Sequence, residues 1–157
     1  MLDIKITNAK TRKTGKELVE IGIENGKITA IAPSVEGEAK QVIDAKGKLV
    51  TESFVNGHLH LCKVYTLEMA GQDALKEYND NNMGGAMTSI ERAADFKACY
   101  DEKWIIENVR KACDLAVKYG NTHIRAFADV DSKARLEGVK GVIRGREEYK
   151  DRLDIQV

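Results

Sequence analysis

Near Thr51 the hydrophobic pattern of the chain changes kind, and a single uniform sheet or helix bundle cannot accommodate both parts. From Leu2 to Val50 apolar residues follow period two, as in Ile4-x-Ile6, Leu18-x-x-Ile21-x-Ile23 and Ile28-x-x-Ile31, separated by turn residues. That is the period of strands with one face turned to a core. After Thr51 strand-like and helix-like segments alternate, which is the order of parallel β/α units. The division predicts two domains, 1–52 and 53–157.

In the first part Ile23-Glu24-Asn25-Gly26-Lys27-Ile28 predicts a tight hairpin, because Asn-Gly supplies the two positive-φ residues of a type I′ turn. Pro33, the only proline, ends the second arm, since it cannot donate to a ladder. Short strands are expected at Gln41 to Asp44 and Lys48 to Val50, hinged on Ala45-Lys46-Gly47. About fifty residues of antiparallel sheet bury little core alone, so this part needs a surface to lean on.

In the second part strands are expected at Ser53 to His58, Thr122 to Val130 and Leu153 to Val157. Helices are expected at Ile90 to Phe96, Glu102 to Tyr119 and Ala134 to Tyr149. In the longest helix Trp104, Ile105, Val109, Ala112, Cys113, Ala116 and Val117 share one stripe, which reads as core, and Gly120-Asn121 stops it. The polar stretch Gln72 to Thr88 resembles a long loop over a site.

With 25 basic against 25 acidic residues the chain lacks the basic excess of a nucleic-acid binder. No apolar run approaches the roughly 18 residues of a membrane span, and the first residues lack signal-peptide layout. A cytoplasmic chain is expected. Cys62, Cys99 and Cys113 suit reduced thiols better than a disulfide framework.

The residues fit for chemistry are in Asn56-Gly57-His58-Leu59-His60, at the end of the strand that opens the alternating part. Residues i and i+2 of a strand share a face, so His58 and His60 project side by side, within reach of one cation. Imidazole suits zinc and iron, and carboxyl ends of parallel strands are where ligands bind. Two ordinary surface or hydrogen-bonded histidines are the alternative reading. A catalytic zinc usually takes three protein ligands. His123 is a poor third, on the order of 20 Å away at the opposite end of the second strand. Asp129 and Asp131, at that strand's far end, are better placed, and read equally well as capping acids. Cys62 reads as a thiol in the loop, with a soft-ligand role left open.

Three segments together resemble the amidohydrolase superfamily: Ile21-x-Ile23-x-Asn25-Gly26-Lys27-Ile28-x-x-Ile31, Val42-Ile43-Asp44-Ala45-x-Gly47-x-Leu49-Val50 and Phe54-Val55-Asn56-Gly57-His58-Leu59-His60. Leu61-Cys62-Lys63 and His123-Ile124-Arg125-Ala126-Phe127-Ala128-Asp129-Val130-Asp131 are similar, more faintly, to the branch containing cytosine deaminase and the triazine-ring amidohydrolases. The chain departs from the pattern at Glu52-Ser53, where Pro-Gly is usual, at Cys62, commonly Asp, and at Phe127, commonly His.

The resemblance implies an α/β fold, a partial (β/α)₈ TIM-type barrel of the first strands and helices, preceded by part of a small β-sandwich. It implies that His58 and His60 are metal ligands for a divalent ion, zinc or iron. The implied activity is attack by metal-activated water on the carbon of a C–N bond in a cyclic amide or amino-heterocycle, with deamination of a pyrimidine-like ring preferred. The partner implied is a small-molecule substrate; homo-oligomer formation stays open, and neither nucleic acid nor membrane is expected. At 157 residues the chain is short of the roughly 250 of a complete barrel. An N-terminal fragment is therefore expected, inactive alone because the other ligands and the acid/base group come from later strands in the family. The alternatives are an inactive truncated product and a non-enzymatic metal- or ligand-binding module.

Overall fold

The computed structural model describes residues 1–66, 68 and 95–157, in two compact units, Met1–Glu52 and Ser53–Val157. The first contains β1 (Leu2–Ala9), β2 (Val19–Glu24), β3 (Lys27–Ala32) and β4 (Ala39–Asp44), in the spatial order β3-β2-β1-β4. The β2–β3 hairpin turns on Asn25 and Gly26, with φ of 53° and 71°, as a type I′ turn demands. β3 stops at Ala32, one residue before Pro33.

The sheet is mixed, not antiparallel throughout as expected. β1 is antiparallel to β2 but parallel to β4, because the hairpin and the segment after Pro33 carry the chain back to the starting end of β1. The strand expected at Lys48 to Val50 is reduced to a bridge between Lys10 and Leu49, following a turn with Lys46 and Gly47 at positive φ. Ile6, Ile21, Ile23, Ile28, Ile31 and Val50 line a concavity of about 400 Å³. Ile28 and Ile31 remain more than half exposed.

In the second unit β5 (Phe54–Leu59), β6 (Asn121–Ala126) and β7 (Asp154–Gln156) form a parallel sheet in that order. Two described helices, α1 (Glu102–Lys118) and α2 (Glu137–Tyr149), pack together and contribute to its core. The Asp101 side chain caps α1 by accepting from the amides of Lys103 at 2.9 Å and Trp104 at 3.2 Å. Gly120, at φ 80°, ends it. Ile105, Val109 and Cys113 of α1 meet Val142 of α2, with Ile124, Leu153 and Ile155 from the sheet side, all buried.

Two glycines let the helices approach. A Cβ on Gly141 would lie 2.5 Å from Cγ2 of Ile105, and one on Gly145 would lie 2.3 Å from Cγ1 of Val109. α2 begins at Glu137 rather than Ala134, because Arg135 takes a positive φ of 52° and interrupts the preceding turn. The Ile90–Phe96 helix and the Gln72–Thr88 loop lie almost wholly outside the described residues. Among the described residues no helix is long and apolar enough to cross a membrane.

Candidate metal centre

The position of the histidine pair depends on an irregularity in β5. Asn56 pairs with Ile124 and Leu59 with Ala126, so β5 uses one more residue than β6 over this stretch. A one-residue slip exchanges the faces of all later side chains. Strict alternation from Asn56, level with the buried Ile124, would aim His58 and His60 at the helices. With the bulge, Leu59 packs against the core instead, and the histidines share the open side with Phe127. The bulge contains Gly57, and the Asn56 side-chain carbonyl accepts from the His58 amide at 3.2 Å.

On that side the His58 ring stacks on Phe127, with centroids 4.4 Å apart and planes 28° apart. The His58 and His60 centroids are 5.2 Å apart. Two imidazoles on one tetrahedral ion, each bonded at about 2.0–2.1 Å, have centroids about 5 Å apart, so the pair fits a shared cation. Among the described residues no third His, Cys, Asp or Glu completes a ligand cluster with them.

Asp129 approaches His60 from β6. The Phe127 amide donates to the Leu59 carbonyl at 2.8 Å, continuing the ladder past β6 and bringing residues 127–129 alongside 59–62. Oδ1 of Asp129 lies 3.2 Å from Nδ1 of His60. Oδ2 lies 2.8 Å from Nζ of Lys97 and 3.1 Å from Nζ of Lys63, as ion pairs rather than aligned hydrogen bonds. Partial burial pushes the Asp129 carboxyl up, but the two ammoniums outweigh it and hold the pKa below the ordinary carboxylate value. The same contacts raise Lys97 above its ordinary value.

The other sequence candidates fall elsewhere. Asp131 is a turn cap, its Oδ1 accepting from the amides of Lys133 at 2.9 Å and Ala134 at 2.8 Å. Those bonds, with Lys97, lower its pKa to about 2. His123 pairs in register with Val55, away from the pair, and lies against Thr122 and Asp154. Cys62 is not a loop thiol: it is buried in a 3-10 turn, Leu61–Lys63, where Sγ accepts from the Asp129 amide at 3.3 Å and burial pushes the thiol pKa up. All three cysteines are free thiols. Sequence reasoning missed the bulge, which Asn56-Gly57 could have signalled, and the lysines. Lys97 is far from the motif in the chain and carries no signal of its own.

The sequence pattern of the amidohydrolase family matches residues 41–155, well over half of the chain. The chain belongs to that family. The amidohydrolase chain is 32 % identical over 155 residues to N-isopropylammelide isopropyl amidohydrolase of Pseudomonas sp. strain ADP, covering 99 % of this chain. It spans only 37 % of that relative's length. Its fold is similar to N-isopropylammelide isopropylaminohydrolase from Burkholderia multivorans, with a TM-score of 0.74 at 24 % identity over 99 % of this chain and 37 % of that one. It is also similar to 5-methylcytosine deaminase from Klebsiella pneumoniae, with a TM-score of 0.73 at 22 % identity over 97 % of this chain and 35 % of that one.

Proposed function

We propose that His58 and His60 hold a divalent metal ion, zinc or iron, and that the chain supplies this half-site to a hydrolase acting on C–N bonds of a cyclic amide or amino-heterocycle. The observation that carries the reading is the 5.2 Å separation of two imidazoles turned by a bulge onto one open side of the sheet. A metal bound there acts as a Lewis acid toward water and substrate. The chain's own residues bind and orient: His58 is held by its stack on Phe127, and His60 by Asp129. Phe127 gives the site an apolar wall suited to the face of a planar ring.

The substrate class rests on what the relatives are named for, an N-alkyl ammelide and a methylated cytosine, with ring deamination preferred. In this reading residues 1–52 are part of a β-sandwich and residues 53–157 the first β/α units of a TIM-type barrel. The remaining ligands and the acid/base group then come from outside these residues, which span 37 % of the length of the Pseudomonas relative.

The chain, loaded with zinc or iron, is expected to hydrolyse neither cytosine nor N-isopropylammelide at enzymatic rates, because binding without a general base leaves the proton transfers uncatalysed. A release assay on the metal-loaded chain tests this. Turnover that disappears in His58→Ala would show that the catalytic set is complete here, against the half-site reading.

A further inference from the structure

We propose that Asp129 is a positioning residue for His60, holding its imidazole as the Nδ1–H tautomer so that Nε2 carries the lone pair. The inference deepens the metal reading above and rests on it. A neutral imidazole carries one proton on either nitrogen, and which nitrogen keeps it is set by the hydrogen bond that nitrogen makes.

Here the partner of Nδ1 is a carboxylate at 3.2 Å whose other oxygen faces two ammoniums, Lys97 at 2.8 Å and Lys63 at 3.1 Å. A carboxylate so paired is ionised and can only accept, so Nδ1 must donate. The Asp129 side chain is 12 % exposed, and its backbone is tied down by the hydrogen bond its amide donates to Sγ of Cys62 at 3.3 Å. Lys97 also reaches Oδ2 of Asp131 at 2.9 Å, so its ammonium is anchored twice. His60 belongs to a 3-10 entry rather than to β5, and its ring is 41 % exposed. Among the described residues Asp129 is the hydrogen-bond partner of the His60 ring, which lies farther from Phe127, at 5.7 Å between centroids, than the stacked His58 ring at 4.4 Å. Groups that orient a metal-binding histidine in this way are worth about 10- to 100-fold in metal affinity.

The test uses the full 157-residue chain. Long-range ¹H–¹⁵N spectra of the metal-free protein at pH 8.5, where imidazole is ordinarily neutral, read the His60 tautomer. Zinc titration of the same samples reads affinity. The wild type should show Nδ1–H. Asp129→Asn, whose carboxamide can turn its NH₂ toward Nδ1, should shift His60 toward Nε2–H and bind zinc about 10- to 100-fold more weakly. Asp129→Glu should restore most of both.

An Nε2–H tautomer in the wild type, or a tautomer and affinity unmoved in Asp129→Asn, overturns the proposal. If Asp129→Asn fails to fold by Trp104 emission, the wild-type tautomer and the Asp129→Glu affinity decide. A wild type with the Nδ1–H tautomer and no zinc uptake would sink the metal reading, while its loss in Asp129→Asn would still establish the hold on His60.

Discussion

In the first unit the buried cluster is Ala9, Val19 and Ile21, and isoleucines such as Ile28 and Ile31 stay in solvent. In the second unit isoleucines of equal size, Ile105, Ile124 and Ile155, are at most 2 % exposed. Both units have apolar residues at the spacing their elements require. What differs is the second layer: α1 and α2 cover one face of the β5–β7 sheet, whereas no helix covers the β1–β4 sheet within its own unit. A sheet becomes half of a core only when something lies on it. The histidine pair belongs to the unit with the fuller core, which suits a site needing fixed geometry.

The same substitution made in both units should expose this contrast. Ile155→Ala should destabilise the second unit by about 2–5 kcal/mol, from lost burial plus the cavity left behind. Denaturant unfolding followed by Trp104, the only tryptophan, measures it. Ile31→Ala, at a 54 % exposed position, should change amide-exchange protection of β2 and β3 by no more than about 0.5 kcal/mol. Equal losses would erase the distinction.

A second probe is tight helix packing. Gly145→Ala should cost about 1–3 kcal/mol by overpacking against Val109, outweighing the advantage of about 1 kcal/mol that alanine has as a helix former. An unchanged Trp104 unfolding midpoint would mean that α1 and α2 separate freely. The smallest effect concerns acid. Asp131 has its pKa lowered from 3.8 to about 2 by backbone amides and Lys97, so its stabilisation is present above pH 3.8 and lost as pH falls through about 2. Asp131→Asn should flatten that acid limb of the Trp104 unfolding curve; an identical limb would show that the carboxylate adds no pH dependence.

Much of this arrangement is legible in the residues. Asn25-Gly26 specifies its hairpin because few pairs tolerate two positive φ angles, and the stripe on α1 follows from helical period. The start of α2 is displaced because the positive φ at Arg135 is a tertiary outcome that its residue type does not announce. The parallel pairing of β4 with β1 depends on chain path, which period two does not encode. At the site His58-x-His60 is visible, but the face it occupies is not. Regular alternation from Asn56 points it into the core, and one inserted residue reverses that. Asp129 is legible as an acid at the right end of its strand, a candidate third ligand or a cap; its place beside His60 depends on Lys63 and Lys97 converging from separate stretches of chain.

The central claim is that His58 and His60 share one metal ion. Zinc titration of the full chain, followed by elemental analysis after desalting, tests it against His58→Ala, His60→Ala and, as a control, His123→Ala. The account predicts one equivalent retained by the wild type and by His123→Ala, and none by either variant of the pair. No retained metal in the wild type, or equal retention in all four proteins, would contradict it.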